Sequence, residues 1–441
     1  MNTLTKRRIL NSIWLINIVI ISVFWFLAHK NNLTSDVGGL LIAFGSLLGY
    51  MAAYLLLTQL VLISGARWFE QRWGLDRLAS SHAANGKVAF YFVLLHFILV
   101  ISGYTLHSGA NVITGYLPQL VETVFSRWYF ILAALAWDLL VVVVATSIVM
   151  VRKRLPYELW HFIHFLAYAA VLLPVFHQIN AGQTTSGYPL FKAYWVGLFI
   201  FSFATILYFK WVRPLRIYMQ QMFVVDEVTV EANDVVSIYI KGNNIADFKY
   251  QAGQFAFWWF ISRELWWQPH PFTISSSPGD KRLRLTVKSI GKGSEAIQGV
   301  KPGTTVLIDG PYGRFTEVVR TKSKRLFIAG GIGITPLASQ LKDDSSKNDT
   351  LIYAVRGKKD LALKTEISET EAKLIAVLSD EKHKGALHGR VDKDLLQKHV
   401  KDITDRDVYV CGPPPMMDGV EKALEQIGVP ASQIHTERFR L

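Results

Sequence analysis

The sequence predicts a multi-domain chain: a six-helix transmembrane bundle, then a small antiparallel β-barrel, then an α/β domain of doubly wound, Rossmann-like type. Three observations predict it. Almost all long apolar runs lie before residue 213. Short β-segments broken by Gly and Pro follow, from about 217 to 317. Strand and helix patterns then alternate to the C-terminus, with a Gly-rich turn after the first of those strands. Domain boundaries are placed at 1–216, 217–320 and 321–441.

Composition supports the first element. The 441 residues are 51% hydrophobic and only 18% charged, against about a quarter charged in soluble domains, and the mean hydropathy is +0.25. Six stretches, near 10–28, 39–64, 80–106, 128–151, 158–178 and 193–212, are long enough or nearly so to cross about 30 Å of hydrocarbon as helices. Helices are the natural solution there, because lipid cannot satisfy backbone groups. Lys6, Arg7 and Arg8 precede the first span, Arg67, Arg72 and Arg77 separate the second from the third, Arg152, Lys153 and Arg154 the fourth from the fifth, and Lys210, Arg213 and Arg216 follow the sixth. The alternate loops are poor in cations. The expectation is a multi-pass plasma-membrane protein with both termini cytoplasmic. The formal net charge of +13 is thereby explained without nucleic acid, since no cationic run interleaved with aromatics stands outside loop positions. A lone Cys411 excludes an internal disulfide and a Cys-based metal site. The first apolar run lacks the small-residue pattern of a cleavable signal.

Ionisable groups in spans are costly and usually functional. Span three carries His82 and His96, fourteen residues apart, which is about 21 Å along an ideal helix and within about 40° of one face. Span five carries His164 and His177, thirteen apart. Both spans run in the same direction, so His82 pairs in depth with His164, and His96 with His177. Two such pairs can hold two bis-histidine haems stacked across the membrane. A quinol or proton-relay site is the competing reading, and His107 and His161 are read as packing or interface residues. Thirteen residues on an ideal helix leave His164 and His177 about 140° apart, and Pro174 between them removes a helical hydrogen bond. A local distortion at Pro174 is therefore expected to bring both rings to one face.

Ser81-His82-Ala83-Ala84-Asn85-Gly86 with His96, and Trp160-His161-Phe162-Ile163-His164 with His177, resemble the third and fifth spans of the NADPH oxidase and ferric reductase superfamily. That family places thirteen residues between the paired histidines of one helix and twelve or thirteen in the other; here the numbers are thirteen and twelve. The resemblance extends over nearly the whole chain. It implies a metal set of His82, His96, His164 and His177 on two b-type haems.

In the barrel region, His270-Pro271-Phe272-Thr273-Ile274-Ser275-Ser276 resembles the flavin motif of the ferredoxin reductase superfamily. Hydroxyls alternating along a strand suit the polar edge of an isoalloxazine. Lys288-Ser289-Ile290-Gly291-Lys292-Gly293-Ser294 opens a helix with free backbone amides, an anion site. By the resemblance, Lys288, Gly293 and Ser294 hold the FAD diphosphate.

The strand Arg325–Ala329 runs into Gly330-Gly331-Ile332-Gly333-Ile334-Thr335-Pro336. This is not the Gly-x-Gly-x-x-Gly fingerprint but the Gly-Gly-x-Gly-x-Thr-Pro form of the reductase superfamily. The glycines admit a pyrophosphate, and Pro336 suits a first helical turn whose dipole favours the anion. The next strand ends at Val355, and Arg356-Gly357-Lys358-Lys359 follows where a ribose 2′-phosphate would sit. Cations there favour NADPH, with NADH possible. Val408-Tyr409-Val410-Cys411-Gly412-Pro413 resembles the segment bordering the nicotinamide, with Cys411 near the reactive carbon. Phe439 is the terminal aromatic that the family stacks on the flavin, although two residues extend beyond it here. The resemblance thus makes Cys411 and Phe439 the candidate catalytic residues.

The implied activity is electron transfer from NADPH through FAD and two haems to molecular oxygen, producing superoxide. The alternative of the same architecture is a ferric or cupric reductase acting on a metal chelate. A membrane scaffold or transporter with a degenerate reductase domain is a third class, which the intact motifs disfavour. With two histidines per iron, acceptor reduction is expected to be outer-sphere. No EF-hand loop and no obligatory protein subunit are evident, so activity is expected to be constitutive.

Overall fold

The computed structural model describes residues 3–438, apart from a few side chains within the helices. It divides into two compact units, residues 1–209 and 210–441.

The first unit holds the apolar helices. Among the described residues six are long and apolar enough to cross a membrane: Arg8–His29, Val37–Ile63, Arg77–His107, Trp128–Ser147, Leu159–Asn180 and Pro189–Gln221. They are called spans one to six. Leu15, Ile16, Val19 and Phe26 of span one and Ile200, Phe201 and Leu207 of span six point outward, a cost in water that disappears against lipid. Each boundary has a local cause. Asp36 caps span two by accepting the Gly39 amide at 2.7 Å, and Pro189 occupies the first turn of span six. Span four ends at Ser147, short of the expected residue 151, because Ile148 leaves helical geometry before a short helix, Val149–Arg152. Span six continues through a wider turn, Tyr208–Val212, into Arg213–Gln221. A further helix, Val112–Ser126, joins spans three and four. The apolar pattern puts this stretch between spans, and its 15 residues are fewer than a membrane-crossing helix needs.

Span five is interrupted as the sequence requires. A helix Tyr157–Leu172 stops, and a second, Val175–Asn180, begins after Pro174.

The second unit begins with six antiparallel strands: β1 (Val224–Ala232), β2 (Val235–Lys241), β3 (Phe255–Phe260), β4 (His270–Thr273), β5 (Leu283–Lys288) and β6 (Val306–Tyr312). They form two three-stranded sheets, β1-β2-β5 and β4-β3-β6, bridged at Val224 and Thr305. The buried alternate residues Ile238, Ile240, Ala256, Trp258, Phe260, Leu283 and Leu285 form one core between them.

Six parallel strands follow: β7 (Lys324–Gly330), β8 (Thr350–Val355), β9 (Lys373–Leu378), β10 (Leu387–His388), β11 (Arg406–Cys411) and β12 (Ile434–Glu437). Their order is β10-β9-β8-β7-β11-β12. Both faces are covered by apolar clusters, as a parallel sheet requires. The order reverses between β7 and β11, and the carboxyl ends of those two strands are where ligands bind in such sheets.

Candidate functional site

The histidine pairs come together as expected. His82 of span three and His164 of span five have ring centroids 6.1 Å apart, and His96 and His177 have centroids 6.4 Å apart with planes at 27°. Two imidazoles sharing one metal ion at about 2 Å per nitrogen place their centroids about 6 Å apart, so both separations fit one iron between each pair. His96 Nδ1 donates to the Gly45 carbonyl at 2.8 Å, while the buried Nδ1 atoms of His82 and His177 make no such close bond and meet the Gln59 and Pro174 backbones more loosely. His164 Nδ1 lies 3.4 Å from Ser147 Oγ. Among the described residues no cluster of three or more His, Cys, Asp or Glu is placed to hold a metal; haem needs only two protein ligands.

A cavity of about 570 Å³ contains His96 and His177. Its walls are mainly apolar, with Ala52, Ala53, Ala133, Ala134 and Ala136 giving it width, and the helix Val112–Ser126 closes part of it through Leu120, Val124 and Phe125. Sequence reasoning passed over two of its polar members, His29 and Asp138. His29, at the end of span one, is almost fully buried. Beside the other pair, Gln59 of span two donates to the His82 carbonyl at 2.9 Å, and Asn85 donates to Gln59 at 3.0 Å. His107 approaches Asp36 at 3.7 Å and His161 packs edge-on against Phe165, so neither joins a pair.

In the second unit, a cavity of about 1460 Å³ lies between the barrel and the parallel sheet. Single-ligand pockets run to about 1,000 Å³, so it has room for two dinucleotides. Pro271, Phe272, Thr273 and Lys288 line it from the barrel, and Gly330, Gly331, Gly333, Thr335, Arg356, Gly412 and Pro413 from the sheet. Gly331 adopts φ +52°, where a side chain is strained. A Cβ on Gly333 would lie 2.3 Å from the Cys411 carbonyl oxygen, and one on Gly330 2.3 Å from Met416 Sδ. The two glycines let β7 and β11 close up beneath the ligand crevice. Thr335 Oγ1 is bonded to the Ile332 carbonyl at 3.1 Å and so stiffens the turn, and Pro336 sits buried behind it.

Several predicted residues stand elsewhere. The expectation that Thr273 and Ser275 share one strand face is corrected: β4 ends at Thr273. Ser275 turns inward, its hydroxyl bonding Thr286 Oγ1 at 2.9 Å and the Arg284 carbonyl at 3.2 Å. Ser276 is likewise buried, against the Tyr250 hydroxyl at 2.9 Å. These two hydroxyls hold the barrel together and do not line the cavity. Ser294 Oγ accepts from the Ile290 and Gly291 amides at 2.9 and 3.0 Å, shaping the loop rather than facing the cavity. His270 packs against Gly293, where a Cβ would meet its ring at 2.9 Å; burial pushes its pKa down to about 4, so the ring is neutral at neutral pH. Cys411 is fully buried, and burial pushes its thiol well above the ordinary range. It stays a thiol behind the cavity wall that Gly412 and Pro413 form. Phe439 lies outside the described residues.

At the end of β8, Arg356 is exposed on the cavity rim. Sequence reading missed its neighbours. Glu381, after β9, accepts the Lys358 amide at 2.5 Å, and Arg390 lines the same cavity. These positions come from strand order, which no local motif signals.

Three family models match. A ferric reductase like transmembrane component covers residues 48–175, an FAD-binding domain covers 220–316, and an oxidoreductase NAD-binding domain covers 327–422. In this order they match the NADPH oxidase/ferric reductase-like family.

This ferric-reductase-like chain is therefore an oxidoreductase with FAD-binding and NAD-binding domains joined to a multi-pass membrane component. It is 28% identical over 240 residues to a flavohemoprotein of Bacillus subtilis, covering 49% of this chain and 58% of that one. It is 32% identical over 224 residues to the NADH oxidoreductase HCR of Escherichia coli, covering 49% and 66%. The matches thus span about three-fifths of the relatives' length. Among solved structures, the FAD/NAD-binding domain of a nitric oxide dioxygenase from Vibrio cholerae is 25% identical, with a TM-score of 0.44, over 49% of this chain and 97% of that one.

Proposed function

We propose that the chain carries electrons from NADPH, through FAD and two b-type haems, across the membrane to molecular oxygen, producing superoxide. The observation that carries the reading is the pair of facing imidazoles at two positions along the same two spans, 6.1 and 6.4 Å apart. FAD, when bound, supplies the conversion of a hydride into single electrons, and the haems supply one-electron carriage across the bilayer.

The chain's own residues bind and orient. The Gly330–Gly333 turn and the helix behind it present backbone amides to a pyrophosphate. Arg356 offers a cation to a 2′-phosphate, while Thr273 and Lys288 face the flavin's share of the cavity. Gly412 and Pro413 border the nicotinamide end. In the membrane, His82 with His164 and His96 with His177 would hold the two haems. Two histidines to each iron would favour reduction of the acceptor without coordination. The cation-rich loops support a plasma-membrane protein with both termini cytoplasmic, and on that reading the His96–His177 pair lies toward the far side.

A second reading is a ferric or cupric reductase of the same architecture. It draws on the description of the matching membrane family itself, a ferric reductase like component. A superoxide assay and a ferric-chelate assay on one purified, FAD-loaded sample decide between the two. Superoxide formation that accounts for NADPH consumption supports the oxidase, and chelate reduction insensitive to superoxide dismutase overturns it.

A further inference from the structure

We propose that span two is the positioning element of the outer haem site, with Gly45 and Gly49 setting the tautomer and orientation of His96; this rests on the haem reading above.

The two glycines lie one helical turn apart, so they share a face. His96 of span three lies across that face. Its Nδ1 donates to the Gly45 carbonyl at 2.8 Å. The ring lies so close to Gly49 that a Cβ there would be 2.7 Å from Nδ1, 2.9 Å from Cε1 and 3.1 Å from Cγ. No side chain larger than hydrogen fits beneath the imidazole. Span two therefore does two things. It removes the steric barrier that would rotate the ring away, and it supplies an acceptor that fixes the proton on Nδ1. The lone pair is then left on Nε2, the atom available to a metal. Gly49 and His96 line the same cavity as His177, so the orientation is set at that cavity.

At the inner pair span two acts more loosely. Gln59 donates its side-chain amide to the His82 carbonyl, and the His82 ring meets the Gln59 backbone without a hydrogen bond as close as that of His96. A hydrogen-bonded imidazole is a more basic ligand, and it stabilises the oxidised iron relative to the reduced. The closer hydrogen bond from span two thus falls on the outer pair.

The test is Gly49→Ala, with Gly103→Ala as control. A Cβ at Gly103 would crowd the same two helices, meeting Ile42 Cγ1 at 2.6 Å and the Gly38 carbonyl at 2.7 Å, without touching a histidine ring. Redox titration and low-temperature electron paramagnetic resonance of the purified full chain read each haem separately. The expected result for Gly49→Ala is a raised potential and altered g-values at one haem, the one depleted by His177→Ala. Haem retention at that site should weaken about 10- to 100-fold, with the other haem and NADPH-dependent flavin reduction unchanged. Gly103→Ala should leave both haem signals in place. A Gly49→Ala protein with two wild-type signals overturns the inference, and so does an equal shift in Gly103→Ala, which would reduce the glycines to helix packing. If Gly49→Ala does not accumulate, electron–nuclear double resonance on the wild-type protein in deuterated water decides. A ring deuteron on an outer-haem ligand with the lowered quadrupole coupling of a short hydrogen bond supports the inference, and ring deuterons that all show the coupling of unbonded N–D remove it. A wild-type protein without two haems would instead overturn the haem reading itself.

Discussion

The imidazoles of His96 and His177 face each other with centroids 6.4 Å apart, although thirteen and twelve residues, respectively, separate them from the other histidine on their own span. Two low-spin bis-histidine haems per chain are the expected outcome. A pyridine haemochrome assay should give two haems in the wild type and one in His177→Ala. A wild-type value of one, or normal transmembrane transfer in the variant, would remove the assignment.

The meeting is expected to depend on Pro174. Its φ of −66° and ψ of −15° are compatible with a helix, so Pro174→Ala lets the interrupted segments Tyr157–Leu172 and Val175–Asn180 run on as one. An ideal helix then turns His177 by about 140° from His164. Haem content should fall toward one per chain, with the inner signal retained. Two haems of unchanged spectrum would show that the break is not what aligns the ring.

Arg356 should discriminate between the nicotinamide cofactors. Charge-assisted bonds contribute roughly 1.5–3 kcal/mol, so Arg356→Ala should raise the KM for NADPH on the order of 10- to 100-fold and that for NADH far less. Glu381, held on the Lys358 amide, keeps a carboxylate close to the same rim. Equal changes for both cofactors would exclude Arg356 from this role.

Thr273 and Ser275 should separate under mutation. Thr273→Ala should weaken FAD binding and leave the haem spectra intact. Ser275→Ala removes one hydrogen bond each from the buried Thr286 hydroxyl and the Arg284 carbonyl, while Ser237 and the residue 275 amide still bond them, a cost of about 0.5–1.5 kcal/mol. It should lower thermal stability while the folded protein binds FAD normally. Isothermal titration with FAD and flavin-release melting curves distinguish the two; weakened FAD affinity in folded Ser275→Ala would contradict the geometry.

His270 should make the barrel acid-sensitive. Its folded pKa of about 4 lies below the ordinary 6.5, so between those values the unfolded chain binds more protons and stability rises with pH. As pH falls through this window the wild type should lose on the order of 3 kcal/mol. His270→Asn should show a flatter dependence in thermal unfolding of the full chain between pH 7 and 4.5. Parallel curves for the two proteins would show that His270 is not responsible.

The architecture was legible in the sequence because its signals are local. Apolar runs of membrane length, four histidines at depth-matching intervals, a proline between two of them and glycines at a strand end are each visible within one element. Ligand depth follows from the rise of a helix, and the flavin and nucleotide motifs sit on single turns. What the sequence could not decide was where neighbouring elements place their groups. Ser275 reads as an alternating strand residue, yet β4 stops at Thr273 and its hydroxyl turns to β5. Cys411 reads as a site residue, yet its backbone carbonyl packs under Gly333 while its thiol is sealed behind the wall. Glu381 reaches the Arg356 turn only because β9 lies beside β8. Gly45 and Gly49 are unremarkable glycines in an apolar helix until span three packs His96 onto them. These are contacts between elements distant in sequence, and only the tertiary packing of helix on helix and strand on strand fixes them.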